Sequence, residues 1–230
     1  MTKHSNWKKR PGSFDALHAE HLFHGVGRWE VPALLPQPPD LAVPADIKPY
    51  AYRQKIRTRR PVLLHFHTDD YRFEALWNEY RRSLHSVARP AIWAACSPDF
   101  SLWGRYPFAM QLWNTYRNRW LGRYWQEAGV TVIPSVNWSS VLSYDFCFDG
   151  IPPGQIVTLR TFASATTGER QNFMLGYKTM VERLQPRLIL WFGHVPEDEN
   201  VESDGVEKIV FLVGHVSYRD RPATLREEES

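Results

Sequence analysis

An α/β fold is what this chain of 230 residues predicts: a largely parallel sheet, or a reduced barrel, of βαβ units behind a Pro-rich N-terminal wrapping arm. Three observations lead there. Apolar runs recur at 61–67, 91–96, 130–136, 156–162, 187–193 and 208–214, and most lack polar alternation, as strands covered on both faces do. Helical segments separate several of them, the rhythm of a parallel sheet. The stretch "VPALLPQPPDLAVPADIKP" is too rich in proline for a long helix or a central strand.

Taken in order, residues 1–14 and 219–230 are polar and without hydrophobic period, and read as flexible ends. A single α/β domain is expected over 15–218, with an irregular arm at 15–60 and the βαβ core at 61–218. Helices are predicted at 70–84, 107–128 and 169–184. Pro107 suits the first turn of the second, and Gly129 its stop. In the third, Phe173, Tyr177, Met180, Val181 and Leu184 share a face and Pro186 closes it. Six core strands are too few for a full eight-stranded barrel. The last two runs, "LILWFGH" and "IVFLVGH", look alike, but two copies do not make a repeat architecture.

Composition narrows the class. Hydrophobic residues at 43% and charged residues at 23% describe a globular chain. Ten tryptophans point to an aromatic core or to stacking surfaces. A net charge of +3 excludes a global polycation, but "RQKIRTRR" at 53–60 is locally basic and "EDENVESDGVE" at 197–207 is acidic. Cys96 and Cys147, without CxxC spacing, fit reduced thiols. The N-terminus lacks the apolar stretch of a signal peptide, and no run is long enough to span a bilayer. A cytoplasmic protein without a membrane partner is expected.

The segments beyond the strands carry a resemblance. "FHTDDYRFEALWN" (66–78), "SPDFSLW" (97–103), "PFAMQLWNTYRNRWLGRYWQEAGVTVIPSVNW" (107–138), "YDFCFDGIPPG" (144–154) and, more loosely, "GYKTMVERLQPRLILWFGHVPED" (176–198) resemble DUF4417, a domain family of bacteria, archaea, phages and other mobile elements. The match runs over about 60–200. It implies a phage or mobile-element setting and no settled activity. The histidines at 65, 67 and 194 are not among the family's shared residues, which weighs against a mechanism resting on them.

Polar residues cluster where the strands end. Asp69, Asp70 and Arg72 follow the first core strand, Ser97, Asp99 and Ser101 the second, and Asn137 and Trp138 the third, with Asp145 and Asp149 beyond. In a parallel sheet these exits converge on one rim, where α/β folds build sites. Asp69, Asp70 and Asp99 are the catalytic candidates, the remainder ligand-binding candidates. Each carboxylate alone could equally cap a turn or a helix. On the second helix Asn114 and Arg117 share a stripe. Flanked by Trp113, Tyr116 and Trp120, Arg117 needs an anionic partner, an internal Asp or a bound phosphate or carboxylate.

His65 and His67 point to the same side of a strand and could ligate one divalent metal ion, the only cofactor the residues suggest. His194 and His215 also follow apolar runs. In extended conformation Arg53, Lys55, Arg57 and Arg59, with Arg60, would line a phosphate-tracking stripe or a solvated edge. P-loop, dinucleotide-binding, GxSxG and HExxH motifs are absent. The leading expectation is recognition of a phosphorylated or nucleic-acid ligand at an Asp/Arg/Trp-lined rim. The alternatives are a divalent-metal phosphoesterase or nuclease, and a module docking a phage or host protein.

Overall fold

Every apolar run of the core becomes a strand; most are covered on both faces, as successive apolar residues require, while the last, Glu207–Phe211, lies half-exposed at a sheet edge. The computed structural model describes residues 17–43, 46–57, 60–161 and 166–211. The expected flexible ends, Arg59 and His215 lie outside the described residues. The strands are β1 (Gly25–Val26), β2 (Val31–Pro32), β3 (Asp46–Pro49), β4 (Val62–His65), β5 (Ile92–Cys96), β6 (Val132–Ile133), β7 (Ile156–Arg160), β8 (Leu188–Phe192) and β9 (Glu207–Phe211). The helices are α1 (Ala75–Asn78), α2 (Tyr80–Val87), α3 (Phe108–Glu127), α4 (Thr167–Leu184) and α5 (Glu199–Glu202).

Apart from the small β1–β2 hairpin, all pairing among the described residues is parallel, in the orders β3-β4-β5-β6 and β7-β8-β9. A parallel bridge from Ser135 to Thr158 joins the two sheets. Gln37 of the arm stitches the same seam nearer the strand starts. Its Nε2 donates to the carbonyls of Val132 (3.2 Å) and Ile156 (2.9 Å), and its Oε1 accepts from the Ile156 amide (2.8 Å). The short β6 would otherwise leave these backbone groups without partners.

The arm departs from the expectation of an irregular wrap, since Asp46–Pro49 within it form β3, paired from Asp46↔Val62 to Pro49↔His65. A four-residue strand ending in proline is tolerated at a sheet edge, where the missing N–H costs no ladder bond. The helix expected over 70–84 is in fact three pieces: a 3-10 turn at Asp70–Arg72, then α1 and α2, broken at Glu79. Pro107 sits at the N-cap of α3, just before the first turn, and Gly129 follows its end with φ +80°. A reciprocal Thr166–Glu169 capping box starts α4.

The sheet is rolled. His67, two residues past β4, has its ring 4.4 Å from that of Phe192 in β8, and His65 lies 4.7 Å from the same ring. Three strands separate β4 from β8 in the pairing order, so the concave faces must turn toward each other. A second core, with Tyr177, Met180, Leu184 and Trp191, lies under α4. No helix among the described residues is long and apolar enough to cross a membrane.

Candidate functional site

The segment "SPDFSLW" leaves β5 at the C-terminal edge of the sheet and is held on both sides. Phe100 is fully buried, and the Arg117 guanidinium lies 3.9 Å above its ring. The Ser101 amide and hydroxyl both donate to Asp70, at 3.0 and 2.9 Å. Asn114 donates to the Ser101 carbonyl (2.8 Å) and accepts from Arg117 (2.6 Å). Arg117 also pairs with Glu74. The anionic partner Arg117 requires is therefore an internal glutamate, not the expected aspartate. Burial raises the carboxyl of Asp70 above its usual range, opposed by the two Ser101 hydrogen bonds.

Fixed in this way, the segment presents Asp99. Its Oδ2 faces Nδ1 of His67 at 2.8 Å, and its Oδ1 accepts from Nδ2 of Asn137 at 2.8 Å. Asn137 donates as well to the Phe100 carbonyl. An ionised carboxylate only accepts, so His67 donates through Nδ1, and its Nε2 meets Thr158 Oγ1 at 3.0 Å. Carboxylate, imidazole and hydroxyl stand in the order of a nucleophile-activating relay. Thr158 is fully buried and His67 nearly so, so no substrate atom reaches that hydroxyl. The relay anchors Asp99.

Asp99 opens on a hollow of about 750 Å³ at the carboxyl ends of β5 to β8. Ser101, Asn137, Trp138, Arg160, Arg170 and His194 share its lining. Arg160, last in β7, follows Thr158 on the concave face. Burial pulls its pKa down while Asp99 and Asp69 pull it back up. One wall is aromatic: Trp138 packs 5.1 Å from Phe173 of α4 and lies against Gly176, where a Cβ would stand 2.1 Å from the indole nitrogen.

Four of the predicted residues, Asp99, Ser101, Asn137 and Trp138, thus line one hollow, with Asp70, Asn114, Arg117 and His67 behind them. Ser97 is fully buried in the β5–β6 seam, where its hydroxyl accepts from the Ser135 amide (2.8 Å) and its carbonyl from the Ser135 hydroxyl (2.6 Å). Asp69 is half-exposed and pairs with Arg72 at 3.5 Å. Asp145 and Asp149 are not among the lining residues: Asp145 is exposed, and Asp149 closes against Gly27 of the arm. Sequence reasoning missed Arg160 and Arg170, although "IVTLR" carries a signal, since Thr158 and Arg160 alternate in an otherwise apolar strand.

Among the described residues the extended basic stripe does not form. Tyr50–Lys55 is a 3-10 helix, so Arg53 and Lys55 do not share one side of a strand. Arg53 and Arg57 instead enter a different hollow, with Arg72, Arg82 and Arg89. Arg60 is exposed and lines neither hollow. The paired-histidine metal site fits poorly. Both nitrogens of His67 are engaged, and no group of three or more His, Cys, Asp or Glu among the described residues is disposed to hold a metal ion.

The family described as domain of unknown function (DUF4417) matches residues 23–210. The chain is 36% identical over 201 residues to the Gene 1 protein of Mycobacterium phage L5, covering 86% of each chain. It is 38% identical over 192 residues to the Gene 1 protein of Mycobacterium phage D29, covering 82% of this chain and 69% of that one. No solved structure matches it.

Proposed function

We propose that this chain, which belongs to the DUF4417 family, recognises a phosphorylated, ring-bearing small molecule of the nucleotide class in the hollow at the strand ends. The observation that carries the reading is the immobilised Asp99 facing a cavity that also holds arginines and an aromatic wall. Each feature answers to a part of the ligand. Asp99, with both oxygens already oriented, accepts from hydroxyl or amino groups. Arg160 and Arg170 meet an anionic group. Trp138 and Phe173 offer faces for a planar ring.

Calorimetry with nucleoside mono- and diphosphates and with sugar phosphates tests this. Nucleoside phosphates bind, sugar phosphates, which lack a planar aromatic ring, bind more weakly, and Arg160→Ala and Trp138→Ala each weaken the former at least about tenfold, as expected for a lost charge-assisted contact or a lost stacking face. No binding by any phosphorylated compound, or binding indifferent to both substitutions, refutes the proposal.

The rival reading, a divalent-metal phosphoesterase or nuclease on Asp69, Asp70, Asp99 and His67, has less support. Asp70 is turned onto Ser101, Asp69 onto Arg72, and His67 bridges two protein oxygens.

A further inference from the structure

A second hollow of about 810 Å³ lies on the flank of the fold, between the 3-10 helix Tyr50–Lys55 and helices α1 and α2. Its lining brings together Arg53, Arg57, Arg72, Arg82 and Arg89, with Glu79 the only carboxylate among them. These five arginines come from three separate stretches of chain, so the fold, not a local charge run, has assembled them.

Several of the guanidiniums are held in place. Arg89 donates to the carbonyls of Arg53 (2.5 Å) and Ile56 (3.2 Å), tying the 3-10 helix to the turn before β5. Arg53 lies 4.0 Å over the Tyr50 ring and donates to the Tyr50 carbonyl. Arg57 donates to the carbonyls of Gln54 and Ile56. These contacts orient the groups but neutralise no charge. Among the described residues only Arg82, paired with Glu79 at 3.3 Å, and Arg72, paired with Asp69, have carboxylate partners. Cations facing one another across an open hollow repel, and closely spaced anions relieve that repulsion.

We infer that this hollow is a second binding site, independent of the rim, that takes the phosphodiester backbone of a nucleic acid without reading its bases. Arg57 and Arg82 are exposed while Arg53, Arg72 and Arg89 sit deeper, so positive charge runs from surface to floor and outlasts a single phosphate. The lining holds Tyr50, whose ring is covered by Arg53, the deeply placed Phe73, and the exposed imidazole of His85. Base stacking therefore finds no open Phe, Tyr or Trp face here, only the small ring of His85.

Fluorescence anisotropy of the full chain with a labelled 20-nucleotide single strand, its duplex, and inorganic tripolyphosphate as competitor decides the matter. Both oligonucleotides bind at 50 mM salt irrespective of sequence, and affinity falls roughly tenfold or more by 200 mM, the slope expected for about three neutralised phosphates. Tripolyphosphate competes only at concentrations well above those of the oligonucleotides. The exposed-site double variant Arg57→Glu, Arg82→Glu loses at least about tenfold while keeping its melting temperature. Arg160→Ala and Trp138→Ala leave oligonucleotide binding unchanged, which separates this site from the rim. Absent binding, binding insensitive to salt or to the double variant, loss of binding through the rim variants, or tripolyphosphate binding tighter than either oligonucleotide overturns the inference.

Discussion

Nδ1 of His67 stands 2.8 Å from Oδ2 of Asp99, and the same ring reaches Thr158 three strands away in the rolled sheet. The residue that a sequence reading offers as a metal ligand is thus a strut that holds the rim carboxylate. His67→Phe keeps a ring of similar shape but takes one partner from Asp99, which keeps Asn137, and one from Thr158, which keeps Ser135. Unfolding free energy is expected to drop by roughly 1–3 kcal/mol, equally with and without EDTA, in urea titrations followed by fluorescence. A loss that appears only when metal is present would restore the metal reading.

Gly176→Ala tests the aromatic wall. A Cβ there would stand 2.1 Å from Nε1 of Trp138, so the indole must leave its seat on α4. Overpacking of this kind destabilises by about 1–3 kcal/mol. If the wall binds the ligand ring, nucleotide affinity falls with it, and tryptophan emission shifts as the indole moves into water. Emission and affinity both unchanged would mean that helix and loop simply part, and that the wall is not a fixed feature.

The fold was largely legible because it rests on long apolar runs, while the site was legible only in part. Asp99, Ser101, Asn137 and Trp138 could be placed together from strand order alone, since parallel strands send their exits to one edge. Asp145 and Asp149 could not be separated from them, because the arm that folds Gly27 against Asp149 makes contacts remote in sequence. β3 was hidden by its proline and its length. Glu74 as the partner of Arg117, and Gln37 as the stitch between sheets, carry no local pattern: each is defined only by what lies opposite in the folded chain.

Arg119 is the most demanding polar residue of the interior. Its guanidinium is fully buried and donates to the carbonyls of Asp149 (3.0 Å), Ser135 (3.2 Å) and Cys147 (2.7 Å) and to Asn118 (2.6 Å). Burial lowers its pKa to about 10, with Cys147 and Asp149 opposing, so it remains charged at neutral pH. Arg119→Met removes the donors and leaves buried carbonyls unsatisfied, each worth about 1–3 kcal/mol. Loss of soluble, cooperatively melting protein is expected, whereas Arg123→Met, on the partly exposed side of the same helix, stays near wild type by thermal denaturation. Equal behaviour of the two variants would mean that water replaces the guanidinium.

His65 makes the fold sensitive to acid. It is buried against Phe192, its Nδ1 has no hydrogen-bond partner among the described residues, and burial, His67 and Arg160 together hold its pKa well below the ordinary 6.5. Below pH 6.5 the unfolded chain therefore binds a proton here that the folded chain refuses. With more protons on the unfolded state, stability rises with pH across that window and falls as pH drops. The slope from this one group approaches about 1.4 kcal/mol per pH unit. His65→Leu, which cannot take up the proton, should flatten the acid limb between pH 6.5 and 5.5 relative to wild type, and leave the pH 7 to 8 region parallel. Urea midpoints at half-unit steps measure this directly. Acid limbs of equal slope in the two proteins would show that His65 titrates alike in the folded and unfolded chain, and that the concave face is wet where the packing makes it dry.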